Sequence, residues 1–308
     1  MTATDLSAPL PRSPRWKRVF CGPHGLRPGW GLLLFVAIQQ GLLGLLGWAV
    51  TRFWTPPDKP EWRPELILVY EAVLLAVTLL STTTLARIEG RSFATYGYPF
   101  RRILGARFGE GALWGLLSIS AVIGMMTLAG AYSVSGLSVH GGEALRYGVL
   151  WALATLLAGL YEELYFRGYP QYTLGRGIGF WPAAAVISFL FGAIHYFEKP
   201  METWMDFTSV SLIGLFFCFT LRRTGHLGFA IGWHFAYNFG SLYLYGGPNT
   251  GNQGRPLPGH LLNSSFRGPD WLTGGPMGPE ASVFIFVVIA ALFWAFHRRY
   301  PEVRFPAE

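Results

Sequence analysis

Charge is scarce in this 308-residue chain: Asp, Glu, Lys and Arg together make up 13% of it, about half the share of an ordinary soluble domain. That scarcity excludes a solvent-covered globule, and 51% hydrophobic and 16% aromatic content points the same way. Cysteine is nearly absent. Cys21 stands in a basic stretch and Cys218 in an apolar run, so there is neither a disulfide framework nor a CxxC metal site. No A-x-A site follows the polar first 30 or so residues, so no cleaved signal peptide is expected. No internal repeat appears, which removes the duplicated halves common in transporters. The net charge of +7 falls in short loops, where it speaks for membrane topology and anionic lipid and against nucleic acid.

What is present is a series of apolar runs near the roughly 20 residues that cross a bilayer as a helix. Eight spans are expected: 30–50, 66–86, 110–132, 147–167 (running on to 176), 181–196, 204–221, 227–245 and 281–296. Only helices or closed barrels satisfy the backbone in lipid, so the fold class is all-α, a polytopic transmembrane helical bundle. With the N-terminus inside, sixteen Lys and Arg fall in inner segments and seven in outer ones. That bias places both termini in the cytoplasm. The domain reading is a basic tail at 1–29, one helical domain at 30–299 and a tail at 300–308. Gly41, Gly44 and Gly47 are expected at a close helix contact. The aromatic, basic segment 87–109 is expected on the cytoplasmic interface. The Gly/Pro-rich stretch 246–280 reads as a loosely ordered external loop or as a lid or partner surface.

Ionisable groups inside such spans are costly and mark function. The fourth span holds Glu162, Glu163 and Arg167. Glu163 and Arg167 are four apart with the acid first, the spacing and order of an intrahelical ion pair. Glu162 points about 100° away and lacks a partner on its helix, as a general base does. The fifth span carries Phe191 and His195 four apart, so Phe191 can hold the imidazole's orientation. The seventh carries His234 and Asn238 four apart, two donors for one oxygen or a polar contact between helices. If the fourth helix continues past Pro170 with a kink, the four polar groups reach one layer near mid-membrane.

A carboxylate, two imidazoles and an amide suit hydrolysis of an acyl bond. Glu162 would activate a water beside His195, while His234 and Asn238 would donate to the oxyanion. No Ser or Cys lies at helical spacing from the histidines, which disfavours a covalent nucleophile. There is no HExxH, yet Glu162, His195 and His234 could hold zinc with an open position; metal-activated and carboxylate-activated water are not separated.

"EELYFRG", "FGAIH" and "HFAYN" resemble the EExxxR, FxxxH and HxxxN motifs of the CAAX protease and bacteriocin-processing (CPBP, or Abi) family of intramembrane proteases. They occur in the family's order over about 145–245. The resemblance implies an eight-helix protease with a cavity opening to the cytosol and membrane. It implies Glu162 as the water-activating acid with His195 beside it, and His234 and Asn238 as the oxyanion site. Eukaryotic relatives trim prenylated CAAX proteins; bacterial ones include self-immunity proteins and adaptors. The expectation for this chain is a multi-pass protein of a bacterial inner membrane acting on a peptide or lipoprotein. The long loop before the last span leaves the route of access open. Two rivals use the same groups: a proton-coupled transporter, which predicts ion flux lost in Glu162→Gln, and a non-catalytic adaptor or scaffold, which predicts that Glu162→Ala unfolds the protein.

Overall fold

The computed structural model describes residues 19–22, 25–53 and 62–305. The expected basic tail lies outside the described residues as far as 18, as does the outer Lys59. The chain forms α1 (Pro28–Phe53), α2 (Pro64–Glu89), α3 (Ala106–Leu128), β1 (Tyr132–Leu137) and α4 (Gly141–Glu163). It continues as α5 (Tyr169–Ile178), α6 (Phe180–Glu198), α7 (Trp204–Thr224), α8 (Gly228–Phe239), β2 (Leu262–Phe266) and α9 (Val283–Arg299). This is the polytopic helical bundle expected. Among the described residues, seven helical segments are long and apolar enough to cross a membrane. The eighth expected span is shorter: α8 has 12 residues and is continued by a π-helical turn over Gly240–Leu244.

Helix ends follow local chemistry. Pro64 opens α2 after an extended Arg63, and Gly90 closes it at φ 65°, where a left-handed residue accommodates the chain's exit. The Thr203 hydroxyl accepts from the Asp206 N–H at the start of α7, and Ser282 caps α9 through the Phe284 N–H, each satisfying a donor that the helix leaves free.

α8 runs through the centre, buried on nearly every side, between α3 and α4. Glycine permits that approach: a Cβ at Gly115 of α3 would collide with the Trp233 carbonyl of α8. These are the close-packing glycines. Gly41, Gly44 and Gly47, expected in that role, have nothing within 4 Å of a built Cβ. They lie on the exposed side of α1, which packs on α2 and α5.

Two further expectations are corrected, and a third segment is partly buried. α3 stops at Leu128, and Tyr132 belongs to β1 instead. In the segment 87–109, Tyr96 and Tyr98 are buried and the Gly97 carbonyl accepts from the Leu227 N–H. Their rings plug the bundle's end, since tyrosine buries a large apolar ring wherever one is available. The stretch 246–280 is not loose. β2 pairs antiparallel with β1 across a bulge between Val134 and Gly136. Trp151 of α4 donates its indole N–H to the Pro258 carbonyl at 3.3 Å, and the Ser138 N–H donates to the Leu261 carbonyl at 2.7 Å. A 3₁₀ segment, Gly275–Ala281, then leads into α9, with the Ser209 hydroxyl of α7 donating to the Glu280 carbonyl at 2.6 Å. Turn-forming composition hid these contacts because they join residues about a hundred positions apart.

Candidate active site

α4 does not end at its charges. It passes through a π-helical turn, Leu164–Gly168, and continues as α5 with Pro170 in the first turn, where the missing N–H costs nothing. The longer, kinked helix expected from the sequence is the one observed. The π turn shifts the register where Glu163 and Arg167 sit, a frequent signature of functional positions.

Glu163 and Arg167 are both fully buried, with the Arg167 guanidinium donating to Glu163 Oε1 at 3.2 Å. The guanidinium also lies 4.2 Å from the Phe191 ring centroid, a cation–π contact in a dry setting. The same Glu163 oxygen takes a hydrogen bond from His234 Nδ1 at 3.1 Å. Since an ion-paired carboxylate only accepts, the Nδ1 proton points at Glu163, and Nε2 is turned the other way. There it meets Glu162, with Nε2 3.7 Å from Oε2. Glu162 is 18% exposed, and Oε2 is buried with no hydrogen-bond partner. One glutamate is spent on the scaffold and its neighbour is aimed at open space.

His195 is fixed in the same manner. Its Nδ1 lies 2.8 Å from the Phe191 carbonyl, and a carbonyl only accepts, so Nδ1 carries the proton and Nε2 of the neutral ring is a bare acceptor. The Phe191 ring stands edge-on to the imidazole at 4.6 Å, as the four-residue spacing suggests. Glu162, His195, His234 and Asn238 line one cavity of about 110 Å³, room for several waters. The cavity collects all four polar groups picked out by helical spacing, from three separate spans.

Zinc needs three ligands converging on one point. Among the described residues no three His, Cys, Asp or Glu side chains converge closely enough to hold a metal ion. Glu162, His195 and His234 therefore do not form a preassembled zinc cradle.

The cavity also holds Lys199, Tyr237 and Glu280, which the sequence reading passed over. Lys199 follows His195 by one helical turn, so spacing could have found it. Tyr237 is 4% exposed, and its hydroxyl is buried without a partner. Glu280 comes from the segment before α9, where no periodicity applies. Glu71 of α2, whose Oε2 is also buried and unbonded, lies within electrostatic range of Glu162. An acid in the middle of an apolar run was its signal.

Residues 144–240 match the family model described as type II CAAX prenyl endopeptidase Rce1-like. The match spans Glu162, His195, His234 and Asn238, and it agrees with the resemblance drawn from the three motifs. No curated protein and no solved structure matches the chain.

Proposed function

We propose that this chain is a membrane-embedded endopeptidase that cleaves a membrane-associated peptide or lipoprotein with a water activated by Glu162. The carrying observation is the Glu162 carboxylate: its Oε2 is buried and unbonded, 3.7 Å from His234 Nε2, in one cavity with His195 and Asn238. The Rce1-like match over 144–240 supports the reaction class.

In this mechanism Glu162 takes a proton from a water that also donates to the bare Nε2 of His195. The oxygen attacks the scissile carbonyl carbon. The carbonyl oxygen becomes an oxyanion and accepts from the Asn238 amide and from His234 Nε2. For that donation His234 carries both ring protons, one held by Glu163. Such donors are worth about 3–4 kcal/mol each in the transition state. The proton on Glu162 then passes to the amide nitrogen as the C–N bond breaks, leaving an amine and a carboxylic acid, whose proton goes to the amine to give a carboxylate and an ammonium. Glu163, Arg167 and Phe191 position the two imidazoles and touch no reacting atom. No step is routed through a metal.

The test compares membrane peptides from cells carrying the wild-type chain and Glu162→Gln. Peptides that accumulate only with the variant identify substrates. A folded variant that leaves every peptide unchanged removes the proposal and leaves the adaptor reading.

A further inference from the structure

The cavity lies near one end of the bundle. His195 is one turn, about 6 Å, from Lys199 where α6 ends, and about 22 Å from Phe180 where it starts. The other lining residues agree. Ser209 belongs to the second turn of α7, Asn238 to the end of α8 and Glu280 to the segment leading into α9. On the far side the cavity is lined by Phe191 and Phe217, both buried. The opening is therefore at the end of the bundle that carries the β1–β2 ribbon.

That end is low on one flank. Glu162 shares the level of the cavity, yet α4 rises from there for 21 residues to Gly141, about 32 Å along its axis. A tilt of 40°, the upper range for spanning helices, still leaves about 24 Å. On the α6 side only about 6 Å of helix remains above His195. The turn from Lys199 to Thr203 thus sits well below the top of α4. It exposes apolar side chains beside charged ones: Phe197 is 81% exposed, Trp204 70% and Met201 52%, and Glu198 and Lys199 are exposed with them. A low turn that mixes exposed aromatic and charged side chains lies at the interface of the bilayer, where water still reaches it. Lys199, exposed and lining the cavity, marks the lip.

The two ends differ in charge. Among the described residues, twelve arginines lie in the connections and helix ends away from the ribbon, against six Lys and Arg at the ribbon end. Cytoplasmic loops carry the excess of basic residues.

We infer that the catalytic cavity opens over the Lys199–Thr203 turn at the non-cytoplasmic interface of the bilayer, and that its substrates are peptide segments at the non-cytoplasmic surface of the membrane. This rests on the proposed hydrolysis for its substrate class. It reverses the cytosol-facing cavity that the family resemblance implies, because the arginine-rich end and the open end are opposite ends of the same bundle.

The test needs no activity. In a Cys21→Ser, Cys218→Ala background, single cysteines replace Lys199 at the lip, Ser135 on the exposed ribbon and Arg102 at the arginine-rich end. Each is treated with a membrane-impermeant maleimide in right-side-out and inside-out vesicles. Lys199→Cys and Ser135→Cys labelled only in right-side-out vesicles, with Arg102→Cys labelled only in inside-out ones, is the expected pattern. The reverse pattern overturns the sidedness. Ser135→Cys labelled as expected while a folded Lys199→Cys stays unlabelled in both, even by a lipid-soluble maleimide, overturns the opening over this turn. A chain that labels as expected but changes no membrane peptide keeps its sidedness and loses the protease reading, so the two failures are separable.

Discussion

Replacing Glu163 by Gln removes one charge from a site where the chain holds three polar groups in register. In the wild type, one Glu163 oxygen accepts from Arg167 at 3.2 Å and from His234 Nδ1 at 3.1 Å. Both Glu163 and Arg167 are 0% exposed. The glutamine keeps an acceptor oxygen, so the hydrogen-bond geometry survives in part. What it cannot keep is compensation for the guanidinium, which has no path to water. Removing one partner of a buried pair costs about 3–5 kcal/mol, mostly for the stranded charge. The cation–π contact with Phe191 exists before and after the change and offsets none of it. At roughly 2 °C per kcal/mol for a large domain, thermal unfolding in detergent should drop by about 6–10 °C. Glu162→Gln, one residue away, is the control: its carboxylate is 18% exposed and makes no hydrogen bond at Oε2, so its unfolding temperature should stay within about 1 °C. Equal losses for the two variants would refute the division of labour between the glutamates. An unchanged Glu163→Gln would show that the ion pair does not hold the site.

The remaining expectations are direct. Glu162→Gln should lower peptide hydrolysis by about 10²–10⁴-fold, the range for a lost general base, measured on an accumulated peptide. Asn238→Ala should cut kcat by about 10²–10³-fold with little change in KM, because an oxyanion donor acts in the transition state. Gly115→Ala places a methyl against the Trp233 carbonyl. It should push α3 off α8 and lower stability by about 1–3 kcal/mol, read from thermal unfolding. Glu202, in the α6–α7 turn, is pushed up to about 10 by burial and by the neighbouring Asp206, against the pull of Lys199. The folded chain then binds a proton there that the unfolded chain has released. Stability from this group is full below the ordinary carboxylate range and falls as pH rises toward 10. Glu202→Gln should flatten that slope in a pH series of unfolding temperatures, and an unchanged slope would place its cause elsewhere.

The sequence exposed what obeys a period and concealed what does not. Helical spacing of four paired Glu163 with Arg167, Phe191 with His195 and His234 with Asn238, and all six side chains stand where that spacing puts them. Counting 1.5 Å per residue brought three spans to one layer, and one cavity collects the four groups, nearer the ribbon end of the bundle than its middle. Spacing along one helix cannot report a contact between helices, so the hydrogen bond from His234 to Glu163 was out of reach. With it went the constraint that His234 offers only Nε2 to a substrate. The glycines show the same limit: Gly41, Gly44 and Gly47 have the look of a packing stripe, but Gly115 makes the contact, because packing depends on what a neighbour presents. The segment 246–280 was the least legible. Its glycines and prolines mark turns correctly, yet the partners that order it, Ser138, Trp151 and Ser209, lie far away in the chain. It also contributes Glu280 to the cavity. The part of the site supplied by regular helices was therefore readable before any coordinates, and the rim that meets a substrate first was not. Substrate choice in this chain should accordingly be sought in Lys199, Tyr237 and Glu280, which line the cavity beside the reacting groups, and its chemistry in the four groups that spacing found.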